Sequence, residues 1–240
     1  MRLGLFIPCY MDQLYPRAAH ATLRLLERLG HEVECPDTPA CCGQPMSNSG
    51  HAALGEDFVD AFARRYAGYE RVVSPSASCL LHLKEGLEAR GHPLAHHAHE
   101  LCEFLHDVER VEAFDAAFPH RVGLHQGCHG LRGLGLGRPS ERMEPHFSKP
   151  ERLLKRVRGL ELVELDRPDE CCGFGGSFAV FESDVSAAMG SDRVADHAGH
   201  GAEFITSTDM SCLMHLGGLA ARSHPRIKVL HIAEILAGEV

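Results

Sequence analysis

Arg71-Val72-Val73-Ser74-Pro75-Ser76-Ala77-Ser78-Cys79-Leu80-Leu81-His82-Leu83 is the stretch on which the fold turns. Arg71–Ser74 is a short apolar run of the kind that reads as a buried parallel strand. A turn with Pro follows, and Cys79 then opens a helix. The same order returns at Glu203–Thr206 and Cys212-Leu213-Met214-His215-Leu216, with Cys212 lying 133 residues after Cys79. A chain that repeats a strand, a turn and a cysteine at a helix start reads as two copies of one unit.

The rest of the chain follows this duplication. Cys41-Cys42-Gly43 recurs as Cys171-Cys172-Gly173. Cys9 follows the apolar run Leu3–Ile7, and Cys128 follows Val122-Gly123-Leu124. Each half therefore reads as a single cysteine, a Cys-Cys-Gly triplet and a final cysteine, with intervals of 31 and 36 residues, then 42 and 39. Strands are expected at Leu3–Ile7, Glu32–Cys35, Arg71–Ser74, Arg121–His125, Leu160–Leu165, Glu203–Thr206 and Lys228–Ile232. Amphipathic helices are expected at Ala18–Leu29, Glu56–Tyr66 and Pro150–Val157. Alternating strands and helices imply an α/β fold of two pseudo-repeated half-domains, each a parallel sheet with crossover helices. The halves are expected to span residues 1–115 and 116–240, joined near 110–120. In open parallel sheets ligands gather at the carboxyl ends of strands, so the four thiols of each half are expected to meet there.

Composition narrows the chemistry. The 240 residues carry 24 Lys+Arg against 33 Asp+Glu, a net charge of −9. That excludes a general nucleic-acid binder, which needs clustered cations, and a basic membrane-surface helix. No apolar run reaches the roughly 18 residues of a membrane span. Met1 to Cys9 has no signal-peptide pattern, so a cytoplasmic location is expected, where thiols stay reduced. Ten cysteines then point to metal or redox chemistry rather than to disulfides. Adjacent cysteines are poor disulfide partners in any case, with Cα atoms about 3.8 Å apart against a usual minimum of about 4.4 Å.

Cys9, Cys41, Cys42 and Cys79 in one half, and Cys128, Cys171, Cys172 and Cys212 in the other, are the candidate metal and cofactor residues. Four thiolates suit an iron–sulfur cluster or a tetrahedral zinc ion. The cluster is favoured for two reasons: the paired Cys-x-x-Cys knuckles usual for structural zinc are missing, and adjacent cysteines on extended backbone point to opposite sides. Zinc and metal-free thiol chemistry stay open. Cys35 and Cys102 fall outside the pattern and read as ordinary buried cysteines.

These elements resemble the cysteine-rich Cys-Cys-Gly domain family: Ile7-Pro8-Cys9, Cys41-Cys42-Gly43-Gln44-Pro45, Ser74-Pro75-Ser76-Ala77-Ser78-Cys79, His125-Gln126-Gly127-Cys128-His129, Cys171-Cys172-Gly173-Phe174-Gly175-Gly176 and Cys212-Leu213-Met214. The family includes the cysteine-rich subunit of heterodisulfide reductase and the iron–sulfur subunits of glycolate and glycerol-3-phosphate dehydrogenases. A two-repeat chain of this length is most similar to its lactate-utilisation branch. That resemblance implies an iron–sulfur, [4Fe–4S]-type electron-transfer subunit, one cluster per half, in a three-protein L-lactate oxidation complex. The implied partners are a ferredoxin-like iron–sulfur protein and a third subunit. The heterodisulfide reductase member ends each repeat in Cys-x-x-Cys. Here Ser76 and Asp209 stand at the extra position, which argues against its five-cysteine cluster and its disulfide chemistry.

Secondary candidates receive plainer readings. His82 and His215 read as residues behind the ligands or at the surface. His125 and His129 flank Cys128 and read either as hydrogen-bond donors to ligating sulfur or as ordinary polar packing. His92, His96, His97 and His99 read as a solvated loop cluster. Gly173, Gly175 and Gly176 are expected to let the backbone approach a cluster and donate N–H groups to its sulfurs. Neither they nor Gly133-Leu134-Gly135-Leu136-Gly137-Arg138 match a dinucleotide fingerprint. The loop with Arg132, Arg138 and Arg142 reads as a solvated insertion or a docking loop.

Overall fold

The computed structural model describes residues 1–36 and 41–239. The first half runs β1 Arg2–Leu5, α1 Cys9–Leu14, α2 Pro16–Arg28, β2 Glu32–Glu34, α3 Gln44–Asn48, α4 Glu56–Tyr66, β3 Arg71–Ser74, α5 Ala77–Ala89, β4 Ala98–Glu100 and α6 Leu101–Glu103. The second runs β5 Arg121–Leu124, α7 Lys149–Leu154, β6 Glu161–Leu162, α8 Phe178–Phe181, α9 Ser183–Gly199, β7 Phe204–Ser207, α10 Met210–Ser223, β8 Lys228–His231 and α11 Ile232–Ala237. The strands form two four-stranded parallel sheets of identical order, β2-β1-β3-β4 and β6-β5-β7-β8. The α/β duplication expected from the sequence is therefore present. No helix among the described residues is long and apolar enough to cross a membrane.

The register lets the two halves be matched residue by residue. Leu5 pairs with Val73 as Leu124 pairs with Thr206. The next residues, Phe6 and His125, both donate their N–H across to those partners, at 2.9 and 2.8 Å. The strand order reverses direction between β1 and β3, and again between β5 and β7. Those are the places where the carboxyl ends of strands leave a crevice.

Two expectations need correction. The segment with His92 to His99 is not a plain loop: it contains β4, with Ala98 registered on Val72. His96 and His97 are exposed, but His99 is largely covered and lies 3.6 Å from Glu103. The signal was a repeated cap rather than apolar alternation. Glu100-Leu101-Cys102-Glu103 and His231-Ile232-Ala233-Glu234 are matching capping boxes that start the helices after β4 and β8. Cys35, just past the end of the edge strand β2, is exposed rather than buried, while Cys102 is buried.

The halves share a core. On α2, Ala18, Ala21, Thr22, Leu25 and Leu26 are buried, the spacing of one helical face. This face packs against α11 of the other half. One apolar cluster joins Leu3, Leu5, Leu25 and Leu26 to Val122, Leu124, Ile232 and Ile235. Each such side chain contributes about 1.5–3 kcal/mol on burial, so neither half reaches its full core alone.

Acid is expected to loosen this arrangement. Burial pushes His231 down to about 4 and His197 down to about 2. The Nδ1 of His231 accepts the Ala233 N–H that caps α11, which requires that nitrogen to be unprotonated. Both folded values lie below the unfolded value of about 6.5, so the unfolded chain takes up the protons first. The stabilisation is complete above about pH 6.5 and is lost as pH falls towards 4, at about 1.4 kcal/mol per unit for each histidine. Urea midpoints measured from pH 7 to 4.5 should fall accordingly, and His231→Gln should flatten the slope.

Candidate metal centre

The sheet ends deliver the cysteines. Cys9 opens α1 shortly after β1, and Cys79 is the third residue of α5 after β3. Cys128 follows β5, and Cys212 is the third residue of α10 after β7. The Cys-Cys pairs enter from the side, each ending on a glycine with positive φ, 88° at Gly43 and 84° at Gly173. Both cysteines of each pair line the same cavity. The expectation that they point to opposite sides is corrected to this extent: both members of each pair reach one cavity.

Within each half the four thiols form one chain of contacts. The Cys41 sulfur accepts from Cys42 and Cys9, which holds its thiol well below the usual range, while Cys42 also contacts Cys79. Donation to Cys41 raises Cys9 and Cys42. The second half repeats the pattern: Cys171, held low by Cys128 and Cys172, raises both of those, and Cys172 also contacts Cys212. The N–H of Gly43 donates to Cys41 Sγ, and that of Gly173 to Cys171 Sγ, each at 3.4 Å. Gly173, like Gly43, thus directs its N–H at a cysteine sulfur. Four cysteine sulfurs brought together in this way are the donors that soft metals and iron–sulfur clusters take.

All eight thiols line a single cavity of about 460 Å³ between the halves. Its other lining residues mix apolar side chains, Leu14, Phe174, Val180 and Met214 among them, with polar ones such as Gln44, Asn48, Ser78 and Ser211. Contacts between the halves lie beside the cavity. The buried Asp209 carboxylate accepts the N–H of Ser78 at the start of α5, at 2.6 Å, and that of Ser211 at the start of α10, at 3.1 Å. It therefore caps both helices that carry the final cysteines. It also accepts from Tyr10 Oη at 3.1 Å, and Tyr10 lies 3.3 Å from Ser76 Oγ. In the sequence, Ser76 and Asp209 stand out only as places where a cysteine is missing. The structure shows one tyrosine bridging them.

The secondary histidines divide. His215 Nε2 faces the Ser186 carbonyl at 3.2 Å. His129 meets Gln44 of the other half at 3.4 Å. His125 is fully buried, and one of its ring nitrogens lies with the sulfurs of Cys172 and Cys212 in a group no more than 4.8 Å across. Arg132 and Arg138 are engaged within the chain, by Glu141 and Asp169 and by Glu144.

A family profile for the Cys-Cys-Gly cysteine-rich domain matches residues 3–84 and again 122–217, one match per half. The chain belongs to the Cys-Cys-Gly cysteine-rich domain family. The two matches begin at the second residue of β1 and at the second residue of β5, and each contains one full set of four cysteines. Full-length relatives of this family member include Lactate utilization protein A of Geobacillus kaustophilus strain HTA426, 37% identical over 98% of both chains. The protein of that name from Geobacillus thermodenitrificans strain NG80-2 is 38% identical over 98% of both chains. That from Bacillus subtilis strain 168 is 35% identical over 98% of this chain and 99% of its own.

Proposed function

We propose that this chain is an iron–sulfur electron-transfer subunit of an L-lactate oxidation complex in the cytoplasm. Cys9, Cys41, Cys42 and Cys79 would hold one [4Fe–4S]-type cluster, and Cys128, Cys171, Cys172 and Cys212 a second. The observation that carries this reading is the convergence of eight thiols, in two groups of four, on one cavity between the halves. Similarity along the whole chain to proteins named for lactate utilisation supports the substrate. A bound cluster supplies one-electron redox chemistry. The protein's own part is to present the sulfurs and to direct the N–H groups of Gly43 and Gly173 at them.

Oxidation of lactate to its 2-oxo acid releases two electrons and two protons, which requires a two-electron acceptor such as a flavin. In this reading a partner subunit holds that acceptor, and this chain passes the electrons on singly, alongside a ferredoxin-like protein. Structural zinc is the alternative, and the compact group of His125, Cys172 and Cys212 favours it.

Anaerobic purification followed by iron, zinc and sulfide analysis separates the two. The expected result is iron with acid-labile sulfide, and absorbance reduced by lactate only when partners are present. Lactate turnover by the chain alone would refute the relay. Cys42→Ser is expected to empty the first site and leave the second, because the thiol contacts described above stay within each group of four.

A further inference from the structure

The duplication matches the two sites cysteine for cysteine, yet what lies behind them differs. In the first half Phe6, just past the end of β1, packs edge-on against Phe62 with ring centroids 5.2 Å apart, and against Tyr66 at 6.1 Å. Both partners come from α4. In the second half the residue in register with Phe6 is His125. The place of Tyr66 is taken by His197 of α9. A Cβ on Gly4 of β1 would lie 2.6 Å from Tyr66, and a Cβ on the matching Gly123 of β5 would overlap His197. One helical turn earlier, Phe62 is answered by Arg193. An aromatic triad behind the first site has become a His-Arg-His triad behind the second.

The second triad is buried and under-used. His125, Arg193 and His197 are all fully buried. Both ring nitrogens of His125 and of His197, and Nε and Nη2 of Arg193, have no hydrogen-bond partner among the described residues. Arg193 pairs with Asp196 through Nη1 at 2.8 Å. Orphaned buried polar atoms are rare and call for an explanation. Here one ring nitrogen of His125 lies close to Cys172 and Cys212. An imidazole has an N–H to give, whereas Phe6 has none.

We infer that His125 donates a hydrogen bond to sulfur at the second site and, with the Arg193 guanidinium behind it, makes that site the easier of the two to reduce. This rests on the iron–sulfur reading above. A cluster gains one negative charge on reduction. An N–H directed at its sulfur and a nearby buried cation both stabilise that charge. Asp196 offsets part of the Arg193 field, so His125 carries the larger share. One electron leaves the reduced first cluster and enters the oxidised second one, with no bond made or broken and no proton moved. Electrons therefore run from the first half to the second.

The test is a redox titration of the loaded full chain followed by electron paramagnetic resonance. Wild type should show two one-electron waves. The higher should be the one that survives in Cys42→Ser, which keeps only the second site. His125→Phe, which installs the first half's residue, should lower the reduced-to-oxidised ratio of the second site about tenfold at fixed potential, about 59 mV for one electron. The first wave should not move. His125→Gln keeps an N–H and should restore most of the shift.

Coincident wild-type waves, or a higher wave lost in Cys42→Ser, would overturn the inference without any variant at His125. Strong nitrogen hyperfine coupling together with loss of iron in His125→Phe would make His125 a ligand and overturn the donor role. Zinc without sulfide would remove the iron–sulfur reading itself, and composition shows that before any titration begins.

Discussion

Asp209→Ala is expected to lower the stability of the whole chain by about 3–7 kcal/mol, although residue 209 carries no sulfur. The loss has three parts. Each helix that loses its N-cap acceptor costs about 1–2 kcal/mol, and two helices, α5 and α10, depend on this one carboxylate. The Tyr10 hydroxyl loses its acceptor in a covered site, which adds about 1–3 kcal/mol. Typical domains have only about 5–15 kcal/mol in hand, so the midpoint in urea should drop sharply. Asp209→Asn keeps one acceptor oxygen and should recover part of the loss. The alanine variant should also leave Cys79 and Cys212 faster to react with a thiol reagent, because each follows by one residue the N–H that Asp209 holds. A midpoint within about 1 kcal/mol of wild type would show that the double cap contributes little.

Gly173→Val should empty the second site without removing a ligand. Residue 173 sits at φ 84°, where a β-branched side chain is a genuine outlier. A Cβ there would also lie 2.7 Å from the Ser186 carbonyl oxygen and 2.8 Å from Met189 Cβ, both on α9. Backbone and helix cannot both keep their places. The Gly173 N–H that donates to Cys171 is displaced with them. Metal per chain should fall to about half, with the first site's spectrum unchanged. Gly173→Ala has the same φ penalty without branching and should keep more of the second site. Native metal content in the valine variant would mean that the turn tolerates a side chain.

Much of this is legible in the sequence because it repeats. Eight cysteines in two matching sets, each set after short apolar runs, are enough to place the thiols at strand ends and to expect two parallel sheets. What the sequence conceals is of two kinds. β4 is only three residues long, and its polar His99 and Glu100 break the apolar pattern, so pairing with β3 decides it rather than its own composition. The other kind is contact across the halves. Tyr10 and Asp209 are 199 residues apart, and nothing local marks Asp209 as a cap for α5 as well as α10. The geometry of the Cys-Cys pairs is hidden for a related reason. Gly43 and Gly173 are visible, but only the fold shows that both cysteines before each of them reach one cavity.

The packing of α11 on α2 has a consequence for how such a duplicated chain holds together. The last helix is tied to the first half by the Arg28 guanidinium, which donates to the Ala237 carbonyl at 2.6 Å and meets Glu239 at 3.0 Å. A polypeptide with only one repeat would leave the apolar stripe of α2 in water until a second copy arrived to cover it. Its folding would then depend on protein concentration, as in obligate dimers. Joining the copies in one polypeptide, between α6 and β5, makes that encounter intramolecular, with an effective concentration in the millimolar range for a short connection, on the order given by tethered binding modules. Separately expressed fragments should therefore be poorly folded alone and regain structure on mixing, whereas the joined chain folds at any dilution.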